Sequence, residues 1–395
     1  MADLELAFAP RMAAIDRAEW DALALPYGNP LLSWGFLALL EESGSIVPER
    51  GWTPSHLLLR RGGRLVAAAP FYVKTSSAGE FVFDYELAEL ARELGGRYYP
   101  KLVGMVPATP SPAWRVLVAP GEDEAALAAL VVDGAAEAAR GAGLSGLHLQ
   151  WVAEDLHPLL RVKRGFAEWQ RQSFLWSDSG ARGEPFGDFP GYLAAFSKNM
   201  RRNVGRERAG LAAAGVTSRV IGAEEAAAIP GLLGRMADYY GTTNDKFGPW
   251  AARFLERDFF LRLPEFLPKG WLLAAGYEAG AAPNEPLGLA FLFEGRERLY
   301  GRYWGAARAE PGLHFELCYY APIEYALARG LKSFDPGMGS EHKARRGFRS
   351  RLASSFHLVF DRRLARVLAE ALPAANAAAA AEARELDFEL PFKES

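Results

Sequence analysis

Glu316 and His314 lie two residues apart in LHFELCYY (313–320), a carboxylate that is a candidate general base and an imidazole close to it. Glu316, Tyr320, Ile323 and Leu327 recur at steps of four, three and four, so they share one face of a helix, and its last two members are aliphatic. Burial on that stripe would raise the carboxyl pKa, while the positive helix end and a nearby cation would lower it, which suits a general base. The same residues admit a structural reading, with Glu316 paired to an arginine such as Arg302 and His314 capping the turn. A second chemical signal is SKNMRRNVGRERAG, where Lys198, Arg201, Arg202, Arg206 and Arg208 fall within eleven residues opposed only by Glu207. Lys198, Arg201 or Arg202, and Arg208 can share a helical side, giving either a phosphate-binding stripe or a solvated face. A third is GMGSEHKARRGFRSR (337–351), holding Glu341, His342 and Lys343 just after a predicted strand, where open α/β sheets place their ligands. A fourth is Phe81 to Lys101, where Tyr98, Tyr99 and Lys101 accompany Asp84 and Arg97; such a loop reads either as packing or as one wall of a substrate pocket.

The elements that must hold these groups can be read from the spacing of apolar residues. Leu287 to Phe293 and Leu299 to Trp304 form a hairpin around Gly295, Gly312 opens a helix that should run to about Arg329, Gly330 stops it, and Lys332 to Asp335 is the next strand. Pro322 inside that helix removes one hydrogen bond and should kink it. The first half shows the same order. His56 to Arg61 and Arg64 to Val73 form a hairpin around Gly62 and Gly63, Trp114 to Val118 is a strand, Asp123 to Arg140 a helix, and Leu144 to Trp151 a strand. Phe166 to Trp176 reads as two short strands around Gln170. The two long helices end alike, AARG before one strand and LARG before the other, which points to an internal repeat of one mixed α/β unit. The division is a first domain over 1–178, a linker over 179–190, a second domain over 191–365 and a tail over 366–395.

Half of the 395 residues are hydrophobic and the net charge is −3, enough for two cored domains and against a protein whose whole surface binds nucleic acid. Cys318 is the only cysteine, so no internal disulfide can form and a cytoplasmic protein is expected. No apolar run reaches the length of a membrane span, so membrane contact should be peripheral at most. C-x-x-C, H-E-x-x-H, G-x-x-x-x-G-K-[ST] and G-x-S-x-G are all absent, which leaves metal, P-loop and serine-hydrolase readings without support.

GRYWG (301–305), LHFELCYY (313–320), IEYALARGL (323–331), GSEHKARRGF (339–348), GRYYPKL (96–102) and the SKNMRRNVGRER helix together resemble the FemAB-like predicted N-acyltransferases, over nearly the whole chain. The resemblance implies tandem GNAT-like α/β domains, with mixed, mostly antiparallel sheets flanked by helices, related to aminoacyl transferases of peptidoglycan bridges. It implies transfer of an acyl or aminoacyl group to an amine on a peptidoglycan precursor or small metabolite. The donor would be an acyl-CoA or aminoacyl-tRNA cosubstrate, with no tightly bound cofactor and no metal. Glu316 would take the amine proton with help from His314, and Arg302, Tyr303, Trp304, Tyr320, Glu341, His342, Lys343, Tyr98, Tyr99 and Lys101 would surround the substrate. Lys198, Arg201, Arg202 and Arg206 would meet the donor's phosphates. One departure stands out: acetyl-CoA enzymes of this fold show Q/R-x-x-G-x-G/A where RAEPGLH (308–314) has a single glycine, so the usual acetyl-CoA pose lacks its loop. The alternative is a non-catalytic protein that recognises a peptidoglycan fragment or phosphorylated ligand, which would show Glu316 sealed by an arginine. Neither reading fixes the oligomeric state.

Overall fold

The computed structural model describes residues 4–82, 84–180, 183–245, 253–339 and 341–393. Two units divide the chain, Met1–Gln172 with Leu352–Ala381, and Ser173–Arg351 with Glu382–Ser395. The expected division gave 191–365 to the second domain and 366–395 to a tail, whereas the chain returns to the first unit at Leu352 and to the second at Glu382. Residues 179–190, read as a linker, fall in the second unit, with 181 and 182 outside the described residues.

In the first unit, β1 (Leu4–Ala9), β3 (His56–Arg61), β4 (Arg64–Ala69) and β7 (Leu117–Val118) form an antiparallel sheet in the order β1-β3-β4-β7. Gly62 and Gly63 make the β3–β4 turn with φ of 55° and 80°, the left-handed values a two-residue hairpin requires. A second group of strands runs β2 (Trp52–Pro54), β5 (Phe71–Lys74), β6 (Lys101–Gly104), β8 (Gly146–Leu149), and then β15 (Arg349–Val359). All its pairings are antiparallel except β6 with β8. Leu102, Leu147, Leu149, Phe356 and Leu358 pack from one face of these strands against Leu127, Val131 and Ala135 of helix α2 (Glu124–Gly141). Between β5 and β6 the chain makes a long excursion containing helix α1 (Tyr85–Glu93).

The second unit repeats the arrangement. Its order is β10 (Val216–Gly222), β11 (Trp271–Glu278), β12 (Gly288–Glu294), β13 (Arg298–Ala306), β14 (Ser333–Asp335) and the end of β9 (Ala167–Ser177), and only β13 with β14 is parallel. The series antiparallel, parallel, antiparallel thus occurs in both units, around β6–β8 in one and β13–β14 in the other, with a crossover helix before the second parallel strand. This is the tandem GNAT-like fold. β9 is a single eleven-residue strand rather than two short ones, because Ala167 to Ser177 contains no glycine or proline to break it.

Three helical elements frame the second unit's sheet. The basic segment is helix α3 (Lys198–Ala213), capped by the Ser197 hydroxyl. Helix α4 (Leu232–Asp245) lies so close to β13 that a side chain on Gly305 would overlap the backbone of Tyr239. The predicted crossover helix, α5, is a continuous run of Leu313–Phe315, a π turn over Glu316–Tyr320, and Ala321–Ala328. Gly312 enters it at φ 84° and Gly330 follows it at φ 68°. The expected disturbance from Pro322 takes the form of that π turn: proline has no N–H, and its ring would press on the carbonyl of Cys318 four residues earlier, so the preceding turn widens.

Candidate functional site

The second unit's sheet opens where β13 and β14 part. Phe291 pairs with Tyr303 and Leu292 with Gly301, so Arg302 is an extra residue on β13, a bulge of the kind that re-aims side chains beside active sites. The parallel pairing with β14 covers only Arg298 to Tyr300 against Ser333 to Asp335. Pro336, which cannot donate to the ladder, and Gly337, at φ 74°, then turn the chain away. A slot of about 260 Å³ lies in the gap. Arg302, Tyr303 and Trp304 line one wall, His314, Cys318 and Tyr319 from α5 a second, and Met338 and Lys343 a third. The π turn places Cys318 and Tyr319 there.

Lys343 is 3 % exposed, and its Nζ donates to the carbonyls of Gly337 at 2.8 Å and Met338 at 2.5 Å. Burial pulls its pKa down to about 7, with Asp335 opposing and Arg302 adding to the fall. A neutral lysine amine has two N–H bonds and one lone pair, so the two carbonyls leave the lone pair open. His314 sits against Trp304, ring centroids 4.6 Å apart, and against Tyr319 at 5.5 Å. Burial first, then electrostatic interaction with Arg346 and the side chains beside it, hold its pKa down at about 4, so it is a neutral imidazole at pH 7. Among the described residues its ring has no hydrogen-bond partner. Arg302 is buried against Asp335, with contacts of 3.4 Å, and burial raises the Cys318 thiol pKa well above its ordinary value.

A groove of about 600 Å³ runs beside the start of α5. Met200, Asn203, Arg206 and Glu207 of α3 form one side, Glu310 to Gly312 the end, and His342, Arg345 and Arg346 the other side. Arg346 is the anchor: it lies 3.5 Å above the Phe315 ring and donates to Tyr320 Oη at 3.0 Å, to Glu207 at 3.1 and 3.2 Å, and to the His342 carbonyl at 3.0 Å. Tyr320 in turn donates to Glu207 at 2.5 Å. A shallower depression with Asn199, Arg202 and Arg206 adjoins α3.

Several expected site residues have other positions. Glu316 is 5 % exposed and both its oxygens are engaged, by Arg208 Nε and Nη2 at 2.8 Å each and by the Ser218 hydroxyl at 2.8 Å. Arg208 also reaches Glu324 at 2.7 Å. The expected base is therefore held in an ion pair, its partner is Arg208 rather than Arg302, and it lines neither cavity. The basic stripe separates: Arg208 turns inward, Arg201 donates to the carbonyls of Ala194 and Phe196, and Lys198, Arg202 and Arg206 stay exposed. Tyr320 is buried behind the groove, and Glu341 is exposed next to Ser340, which lies outside the described residues.

Tyr98, Tyr99 and Lys101 belong to the first unit. Lys101 is fully buried, donating to Glu80 at 2.9 Å and Asp84 at 2.7 Å, and Tyr98 donates to Asp84 at 2.5 Å. Burial alone would lower the lysine pKa, but the two carboxylates more than offset it and the ammonium is retained. The Phe81 to Lys101 segment is thus an excursion tied down by an interior ion cluster rather than an open loop. Sequence reasoning placed His314 and Lys343 in the site but assigned no part to Tyr319 or Arg346; the signal available for both was the RRGF segment and the proline that widens the helix before it.

The described residues include no helix long and apolar enough to cross a membrane, and no group of three or more His, Cys, Asp or Glu side chains placed to hold a metal. No curated protein matches the chain. Among solved structures it is similar to the C-terminal domain of a putative lysylphosphatidylglycerol synthetase from Agrobacterium fabrum, at 12 % identity and a TM-score of 0.55, over 90 % of this chain and 95 % of that one. It is similar also to FemX, at 14 % identity and a TM-score of 0.52, over 89 % of this chain and 98 % of that one. Identities this low speak to the fold alone. A family model described as peptidoglycan biosynthesis/recognition matches residues 11–394, and the chain belongs to that FemAB-like family.

Proposed function

We propose that the second unit is an N-acyltransferase site in which the slot holds the acyl group and the adjoining groove holds the phosphates of its carrier. The observation that carries this reading is Lys343, a buried amine with a pKa of about 7, its two N–H bonds taken by Gly337 and Met338, at the mouth of a gap between parallel strands. A base whose pKa matches the working pH is best placed to accept a proton and return it.

The acceptor's amine nitrogen attacks the acyl carbonyl carbon and a C–N bond forms. The Lys343 lone pair takes the proton that the nitrogen sheds. The bond from carbonyl carbon to carrier oxygen or sulfur then breaks, and Lys343 returns the proton to the departing carrier. His314, neutral and without a hydrogen-bond partner among the described residues, accepts a hydrogen bond from the attacking amine and so orients it. Arg206 and Arg345 give the groove its cationic edge, where a phosphate finds charge-assisted hydrogen bonds. Glu316 has a different part, holding α3 to α5 through Arg208. Family membership makes a peptidoglycan-precursor amine a reasonable acceptor.

The sealed Glu316 is also what a non-catalytic recognition protein would show, so the test must detect turnover. The full chain is mixed with S-butanoyl-N-acetylcysteamine or butanoyl-CoA and glycinamide, and thiol release is followed. Amine-dependent release that falls a hundredfold or more in Lys343→Met supports the transferase, with the phosphate-bearing donor used at lower concentration. Release that is independent of amine, or equal in the variant, favours recognition without catalysis.

A further inference from the structure

Among the described residues, every ionisable group that lines the slot is neutral or positive. Lys343 is an amine or ammonium, His314 is an imidazole, the Cys318 thiol and the Tyr303 and Tyr319 hydroxyls keep their protons, and Arg302 is the cationic half of a pair with Asp335. Among the described residues that line it there is no carboxylate. The nearby candidates are engaged elsewhere: Glu316 is bound by Arg208 and Ser218, and Asp335 accepts from Arg302 and from the Gly337 N–H at 2.9 Å. The aromatic rings are also committed, Tyr303 to Tyr240, Phe260 and Phe291, Trp304 to His314, and Tyr319 to His314, Phe315 and Phe348. An ammonium brought into this space would be desolvated beside Lys343 without a counter-charge, which is strongly unfavourable. The rest of the lining, including Ala290, Phe291 and Leu292, is apolar.

We infer that the group carried into this slot is a short, neutral acyl group rather than an aminoacyl group. The inference rests on the reading of the slot as the acyl site and narrows its substrate class. The 260 Å³ of space equals about nine water molecules at ~30 Å³ each, so the chain accommodated is short. An aminoacyl donor would have to carry its α-ammonium past Lys343, whereas a propanoyl or butanoyl group presents only methylenes to Phe291, Trp304 and Tyr319.

The test uses two small amides and the full chain. Butanamide and 2-aminobutanamide are titrated by ligand-observed NMR at pH 6 and pH 9.5, on either side of the ~7.7–8.0 expected for an α-amino group. Met338→Trp, a change at an exposed position on the slot's rim, serves as the location control because it narrows the mouth without entering the core. The expected result is saturable binding of butanamide at both pH values, lost in Met338→Trp, with 2-aminobutanamide at least tenfold weaker at pH 6 and close to butanamide at pH 9.5. Equal or tighter binding of 2-aminobutanamide at pH 6 would overturn the inference while leaving the slot as an acyl site. Absence of binding by both amides, or butanamide binding unchanged in Met338→Trp, would remove the acyl-site reading and the inference with it.

Discussion

Replacing Lys343 by methionine keeps the length and apolar stem of the side chain and removes its nitrogen. Two hydrogen bonds to the Gly337 and Met338 carbonyls are lost, worth about 1–3 kcal/mol together, and the cost of burying an amine is lost with them, so stability at pH 7 should change little. The rate should not be spared: a positioned base contributes roughly 10²–10⁴-fold, and the variant should fall by that factor. Wild-type turnover should rise with pH below about 7 and level off above it, since the base acts unprotonated, and the variant should show no such rise. Stability gives an independent check. Between about 7 and 10.5 the unfolded chain holds a proton at this lysine that the folded chain does not, so wild-type stability gains with pH across that window and is flat below it. At ~1.36 kcal/mol per pH unit, wild type should gain at most roughly 4 kcal/mol on the methionine variant between pH 7 and pH 10. Paired pH–rate and urea-unfolding series on the two proteins measure both effects. A wild-type rate that is flat from pH 6 to 8, or a variant with full turnover, would refute the assignment; parallel stability curves would show that the lysine is not depressed.

Glu316→Gln should cost about 1–3 kcal/mol, because Arg208 keeps Glu324 but loses its buried partner, and turnover per folded molecule should stay within about threefold; thermal unfolding read beside activity separates this from a catalytic role, which would reverse the pattern. Reversing Arg206 and Arg345 to glutamate should weaken a phosphate-bearing donor by about tenfold or more at low salt and flatten the salt dependence, while a donor without phosphate is unaffected; titrations at two ionic strengths decide it. Lys101→Met should lower stability by about 3–5 kcal/mol, since Glu80 and Asp84 would be left without their shared cation in the first unit's interior, and an unchanged melting temperature would contradict that account.

The repeat was readable because its signals are local: Gly62 and Gly63 at a hairpin, Gly312 and Gly330 at the ends of a helix, and alternating apolar residues between them. Helical periodicity also placed Glu316 on the inward face, and the structure agrees that it is buried. What periodicity cannot supply is the partner. Arg208 lies 108 positions earlier in the chain, and whether a buried carboxylate is a base or half of an ion pair depends on that one contact. The basic stripe failed to stay whole for a related reason, since Arg201 and Arg208 share α3 with Arg206 but find acceptors in the backbone at Ala194 and Phe196 and in Glu316. Lys343 was visible as a residue in a polar loop, but its chemistry arises from burial and from two carbonyls that only the turn after Pro336 brings to it. The first unit shows the same limit: aromatics around Asp84 suggested a pocket wall, and the fold uses them to enclose Lys101.

If the gap between β13 and β14 receives an acyl group, its carbonyl lies beside Lys343. A crystal structure of the full chain grown with saturating butanamide tests it directly. The amide should lie within hydrogen-bond distance of Lys343 Nζ, with the propyl chain between Trp304 and Tyr319. Butanamide bound elsewhere, with the slot unoccupied by it, would show that the gap is not the acyl site.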